Sequence, residues 1–549
     1  MRPVVLAMVI GILARPAGAA PRAGAVASEH PAAAAAGAEM LRAGGTVVDA
    51  AIAAAAAVCV VHASSCGLGG GGFALVHQAE GDDVALDYRE VAPAGATPER
   101  FRVGGRPEPA LLRSGGLAVG VPGEVGGLAA LHRRFGRLPL ARVLAPAIRL
   151  ARDGFSLGEA PHLAREIGRA KDLLAADPGL RRVFLAGGDG APDAGFRVVQ
   201  AELASTLEAV AARGPRAFYH GPRAAALVAA VRARGGVLGE ADLAGYRPRW
   251  RRPLVGVFRG RRIVTFPPPG SGGVLLEMLG LLARDDLPAL GHGTPTALHL
   301  VAGAMAQGFA DRARWYGDPE FTRVPVAALL ARPRLAALRR ALSALHPTAQ
   351  DTALAPDHGT AHVSVVDAEG NAAAITTTIN TGFGAGILVP ATGVILNNEM
   401  DDFALAPDLP NVYGLVGTAA NALAPGKRPQ SSMSPTVVLD GRRPELVVGG
   451  SGGPTIISGT LQVVLEVVAY GLPLGEAVRA PRVHDQGVPA VLAVEPGVEA
   501  GVRGVLERLG HHVVVTPMIG EVSACGLARD GSPVAAGDAR KDGGAALAP

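Results

Sequence analysis

A threonine hydroxyl becomes a nucleophile only when a base sits beside it. One such base is the threonine's own α-amino group, which exists only if the residue is a chain terminus. Thr360 is internal, yet it stands where a terminus could be made. The segment from Pro347 to Thr360, PTAQDTALAPDHGT, is polar, holds two prolines and lacks periodicity, so it reads as a surface loop. The stretch after it, HVSVVDAEGNAAAITTTIN, is two alternating runs around a Gly-containing turn, a β-hairpin pattern. Attack of the Thr360 hydroxyl on the Gly359 carbonyl would give an ester that water hydrolyses, freeing the amine. Gly359 tolerates the strained backbone such an attack demands. The chemistry that results is amide hydrolysis or acyl transfer.

Further groups could complete such a site. If Ala368-Glu369-Gly370 is the hairpin loop, Asp367 pairs with Asn371, Thr360 lies opposite Thr378, and Asn380 sits one step beyond. Ser451-Gly452-Gly453-Pro454-Thr455 lies between an apolar strand and a helix, where successive glycines can aim two N–H groups at a developing oxyanion. Asn397-Asn398-Glu399-Met400-Asp401-Asp402 groups acceptors suited to an ammonium, and Arg89 in LDYRE suits a carboxylate. Each feature has a plain structural alternative: a β-prone strand start, a strand-to-helix turn, a polar loop.

Other signals are set aside. Gly67 to Gly72 satisfies G-x-G-x-x-G, but the loop follows a helix and precedes a strand, the reverse of a dinucleotide site. His511-His512 has no partners at metal spacing and reads as a strand edge. Cys59, Cys66 and Cys525 fit neither a zinc site nor a disulfide framework, and Cys59 reads as a buried inert thiol. No metal or organic cofactor is expected.

The elements that position these groups are mixed. Val26 to Ala63 reads as Ala-rich helix broken near Gly44-Gly45, Phe73 to Asp87 as strand and hairpin, and Gly120 to about Leu345 as mainly helical. Two β-rich runs, PTVVLDGRRPELVVGG and HHVVVTPM, flank a helical ISGTLQVVLEVVAYG. At 49% hydrophobic and 18% charged the chain is not a disordered one, and its net charge of +4, without a basic stripe, argues against a nucleic-acid partner. Residues 1–20 carry Arg2, an apolar run from Val4 to Ala14 and small residues at 17–19, the pattern of a signal peptide too short to span a bilayer. No other segment is long and apolar enough to cross one.

Taken in order, these pieces resemble the γ-glutamyltransferase (glutathione hydrolase) family of N-terminal-nucleophile hydrolases. The resemblance runs from about Val26 to Ser532. It rests on stretches such as SSCGLGGGGFALV, LDYREVAP, FPPPGSGG, GFADRARWYGDPEF, TAHVSVVDAEGNAAAITTTIN, LNNEMDDF, PNVYGLVG, PGKRPQSSMSPT and GGSGGPTIISGTLQ. It implies an α+β fold, a four-layer αββα sandwich, with a large segment 21–359 and a small one 360–549 that stay associated after cleavage. It implies Thr360 as processing and catalytic nucleophile, Thr378 bonded to its hydroxyl, and Gly452 and Gly453 as oxyanion hole. Arg89, Ser431 and Ser432 would hold the γ-glutamyl carboxylate; Asn380, Glu399 and Asp402 would hold its ammonium; Tyr413 matches a lid tyrosine. The expected substrates are glutathione and other γ-glutamyl compounds, with water, amino acids or peptides as acceptors, in the periplasm or outside the cell and without membrane insertion. A cephalosporin or glutaryl acylase-like amidohydrolase is the nearest alternative, and a non-catalytic secreted binding protein a more distant one. Two departures stand out: Ala361 replaces a second threonine after the nucleophile, and SSCG replaces the more usual SSG, inserting Cys66.

Overall fold

The computed structural model describes residues 22–342, 359–407 and 409–549. The expected signal peptide at 1–20 and nearly all of the loop before Thr360 lie outside the described residues. The strands that matter here are β1 (Gly24–Ser28), β2 (Gly71–His77), β3 (Val84–Asp87), β4 (Arg249–Arg251), β5 (Leu254–Phe258), β6 (Arg261–Thr265), β7 (Ala361–Asp367), β8 (Ala372–Thr378), β9 (Thr436–Asp440), β10 (Arg443–Ser451), β11 (Glu521–Leu527), β12 (Pro533–Ala536) and β13 (Gly544–Ala548). They form two large sheets. One has the order β13-β1-β7-β8-β2-β3-β4, the other β12-β11-β10-β9-β6-β5.

Three apolar clusters make the four layers. Between the sheets lie Phe73, Leu75, Phe266, Val366, Val437 and Val447, with the Phe73 and Phe266 rings stacked at 4.1 Å. On the outer face of the first sheet pack helices α1 (Pro31–Arg42) and α2 (Val47–Val61), against Ala361, Val363 and Val365. On the outer face of the second pack α3 (Gly272–Leu282), α4 (Pro295–Trp315) and α5 (Thr455–Val468). The αββα sandwich is therefore present as expected. The strand alternation of β7 explains it locally: Ala361, Val363 and Val365 face α2, while His362 and Ser364 face the other sheet, Ser364 Oγ donating to Ser523 O of β11.

Some expectations change. The helix expected from Val26 begins at Pro31, and Val26 lies in β1, because the strand pairs with both β7 and β13 and is sealed on both edges. The span expected to be mainly helical also contains β4 to β6, whose Arg-rich alternation is masked by flanking helices. Cys59 is not an inert thiol: it forms a disulfide with Cys66, whose Cα lies 4.9 Å away. The spacing concealed this because α2 ends at Val61 and the chain doubles back through a turn at His62–Cys66, folding seven residues of separation onto one point.

Candidate active site

The hairpin β7–β8 has the register its sequence predicts. Asp367 N donates to Asn371 O, and Ala361 pairs with Thr377, so Thr360 and Thr378 face each other across its open end. Thr360 Oγ1 donates to Thr378 Oγ1 at 3.1 Å, and that same oxygen accepts the Asn380 N–H at 2.8 Å. The Thr360 N–H donates to Ser65 O at 3.0 Å, in the turn closed by the disulfide.

The backbone in front of Thr360 is strained. Thr360 has φ +65°, a left-handed value that a β-branched residue rarely adopts. Gly359 has φ +136°, and a Cβ there would meet Asn380 O at 2.0 Å, so only glycine fits. Strain of this kind, of order 1–3 kcal/mol for a residue, persists only where the surroundings over-determine it.

A small pocket opens beside Thr360. Arg89, Thr360, Thr378, Asn380, Glu399, Asp402, Tyr413, Ser431, Ser432 and Gly453 all line it. Thus ten of the eleven residues expected for catalysis and binding line one pocket, and Gly452 adjoins Gly453 in the turn between β10 and α5. Gly452 and Gly453 have φ +121° and +58°, conformations open to glycine. The Tyr413 ring covers Gly453, and its hydroxyl donates to Asn380 O at 2.9 Å.

The far end of the pocket is a buried charge cluster. Arg89 is held by carbonyls of Pro429 and Gln430, and its guanidinium pairs with Glu399 and, at 2.5 Å, with Asp402. The groups expected to hold opposite ends of a ligand therefore hold each other, because a buried charge takes whatever partner is in reach. Burial works against the Arg89 charge, but Glu399, Asp402 and Glu90 overcome it and raise its pKa. Burial pushes the Glu399 carboxyl well above its usual range, against the pull of Arg89. Asp402 also accepts from Asn411 Nδ2 at 3.1 Å, and the Asn380 side chain donates to Asn398 O.

Ser431 and Ser432 sit beside a second guanidinium that sequence reasoning missed. Arg312 of α4 donates to Ser432 Oγ and Ser271 Oγ, both at 3.3 Å, and Ser271 Oγ donates to Ser431 O at 2.6 Å. Burial lowers its pKa only to about 10, which leaves it charged at neutral pH. A buried arginine in ADRAR was the available signal, but helical arginines are common in this Arg-rich chain. Such a pocket can bind an α-amino acid end by charge and present a carbonyl to the Thr360 oxygen. Among the described residues no group of His, Cys, Asp and Glu is arranged to hold a metal ion.

The chain is similar to known proteins along most of its length. The family model described as Gamma-glutamyltranspeptidase matches residues 33–548. The glutathione hydrolase proenzyme of Escherichia coli (strain K12) is 38% identical over 490 residues, covering 88% of this chain and 84% of that protein. The acylase ACY 1 proenzyme of Pseudomonas sp. (strain SE83) is also 38% identical, covering 87% and 85%. Among solved structures, the cephalosporin acylase from Bacillus halodurans superposes with TM-score 0.84 at 30% identity over 99% of both chains. The Helicobacter pylori gamma-glutamyltranspeptidase gives TM-score 0.55 at 36% identity, covering 57% of this chain and 90% of that one.

Proposed function

The chain belongs to the gamma-glutamyltranspeptidase family, and from that premise we propose a self-processing glutathione hydrolase and γ-glutamyltransferase whose nucleophile is Thr360. The observation that carries this reading is a single pocket that joins the Thr360 hydroxyl to an Arg89–Glu399–Asp402 cluster.

Processing comes first. Thr360 Oγ1 attacks the Gly359 carbonyl, the Gly359–Thr360 C–N bond breaks, and the hydroxyl proton passes to the released nitrogen. Water then hydrolyses the ester, leaving segments 21–359 and 360–549. Backbone strain at Gly359 and Thr360 lowers the barrier, since it is relieved as the bond opens.

In turnover, the glutamyl α-carboxylate takes Arg89, with Ser431 and Ser432, and the α-ammonium takes Glu399, Asp402 and Asn380. The ligand thus replaces one ion-pair partner of each group with another, and little desolvation is added. The γ-carbonyl is left at Thr360. Its hydroxyl proton moves to the α-amine as the ester forms, and then to the leaving amine of cysteinylglycine. The oxyanion accepts from Gly452 and Gly453 N–H groups. Water or an acceptor amine then cleaves the ester, and no cofactor enters.

The acylase reading has its own support in the likeness to the Bacillus halodurans cephalosporin acylase and the ACY 1 proenzyme. A glutaryl group lacks an α-ammonium, however, and would leave Glu399 and Asp402 without a cationic ligand. The disulfide supports an oxidising compartment, the periplasm or the outside of the cell. No helix among the described residues is long and apolar enough to cross a membrane.

Denaturing gel electrophoresis, N-terminal sequencing and parallel assays on glutathione and a glutaryl amide test the proposal. The smaller fragment should begin Thr-Ala-His-Val, glutathione should be the better substrate, and Thr360→Ala should neither divide nor turn over. An undivided active chain, or an active Thr360→Ala variant, overturns it.

A further inference from the structure

A second buried cluster meets the main chain of Thr360. The chain leaves the second sheet at the end of β12 and enters the first at β13, and Lys541 sits on this crossing. Its side chain, fully buried, reaches into the gap between the sheets. There it donates to Thr360 O at 3.2 Å, to Ser451 Oγ at 2.8 Å, and pairs with Glu29 Oε2 at 3.0 Å. Thr360 immediately precedes β7 in one sheet, and Ser451 ends the strand that delivers Gly452 and Gly453 in the other.

Glu29 is held in turn. Its Oε1 accepts the His362 N–H at 3.2 Å, and its Oε2 lies 3.4 Å from His62, whose other nitrogen meets Asp542 at 2.8 Å. Burial pushes the Glu29 carboxyl up, but Lys541 and His62 overcome it and hold it at about 2. The cluster thus keeps its cations against its anions without any ligand.

We infer that Lys541 is a positioning residue for the Thr360 chemistry, setting the separation between the nucleophile and the oxyanion N–H groups by holding Thr360 O and Ser451 Oγ at one point. The inference rests on the reading of Thr360 as nucleophile. Two sheets packed through apolar side chains can slide by fractions of an ångström, and a displacement of 1 Å at a reacting centre costs about 10²-fold in rate. A charged donor shared by both strands removes that freedom. The same ammonium lies within roughly 6 Å of the Thr360 nitrogen, since nitrogen and carbonyl oxygen of one residue are about 3 Å apart. Once the amine is free, a cation at that range favours its neutral, basic form. The other titratable groups facing this point include Glu29, His62, His162, His362, Glu521, Asp538 and Asp542.

The test uses the full-length protein as Lys541→Met, Glu29→Gln and the double variant, with γ-glutamyl-p-nitroanilide as substrate. The double variant removes both charges and so leaves no unpaired buried ion; Tm verifies that it folds. It should divide slowly or not at all, and its divided fraction should lose about 10²-fold in kcat with KM kept within about two-fold. Lys541→Met alone should also move the acid limb of the kcat profile to higher pH. A folded double variant with kcat within about two-fold of wild type means Lys541 only balances Glu29, and overturns the inference. Failure of the underlying reading would show separately, as a wild-type chain that stays whole or a Thr360→Ala variant that turns over.

Discussion

Two buried charge clusters flank Thr360, and each is built from a long cation held among carboxylates. Around Arg89 the carboxylates of Glu399 and Asp402 line a pocket, so a ligand can take over either side of the pairing. Around Lys541 the partners include Glu29, Ser451 and the main chain of Thr360, and neither Lys541 nor Glu29 lines that pocket. The same physics, a buried ion that needs a counter-ion, serves exchange in one place and permanence in the other. What separates them is access. In the reading proposed above, the open cluster recognises a ligand and the closed one fixes geometry.

The largest effect should come from Arg89→Met, which breaks the open cluster. Losing one partner of a buried, hydrogen-bonded charge pair costs about 2–5 kcal/mol, or about 30- to 4,000-fold. The loss should fall on kcat/KM through KM, and division before Thr360 should proceed, because Arg89 touches neither Gly359 nor Thr360. Steady-state kinetics beside a denaturing gel reads both. A variant that fails to divide yet keeps its KM would erase the distinction between the clusters.

A smaller effect should come in the sealed region from the Cys59→Ala, Cys66→Ala double variant. The disulfide closes the turn whose Ser65 carbonyl accepts from both Thr360 N and Ile379 N, and which carries His62. Loop closure of this length contributes about 2–3 kcal/mol. Thermal unfolding should therefore move down by a few degrees and kcat fall a few-fold, with KM held. A drop in KM affinity alone would place the disulfide's influence in the open cluster instead.

Legibility in the sequence divides along the same line. The hairpin register could be read because a tight turn at Ala368–Gly370 fixes pairing, and period-two alternation carries it back to Thr360 and Thr378. The pocket residues sit in short, distinctive stretches, and the αββα sandwich comes from the resemblance those stretches carry. Lys541, Glu29 and Arg312 could not be read, since each meets partners far along the chain, 512 residues apart for Lys541 and Glu29 and 120 for Arg312 and Ser432, and no local period marks such a meeting. The disulfide was hidden for a related reason: a helix end and a turn bring Cys59 to Cys66, and spacing alone does not reveal it.

The smallest effect, and the one that sharpens the comparison most, is a pair of opposite pH responses. Glu29 in the sealed cluster is held at about 2, below the 4.5 of an unperturbed glutamate. A lowered acid contributes stability that is present above about 4.5 and lost as pH falls toward 2, because the unfolded chain then binds the proton first. Glu90, beside Arg89, is pushed by burial up to about 8. Here the sign reverses: the fold keeps a proton that the unfolded chain releases, so from about 4.5 to 8 a rising pH works against the fold. Glu29→Gln should thus lower Tm at pH 7 and converge on wild type at strongly acid pH. Glu90→Gln should raise Tm at pH 8 and match wild type near pH 4. Neighbouring groups re-titrate with the carboxyl that is removed, which damps each difference. Shifts of the same sign in both variants would show that the two clusters do not differ in how they hold charge.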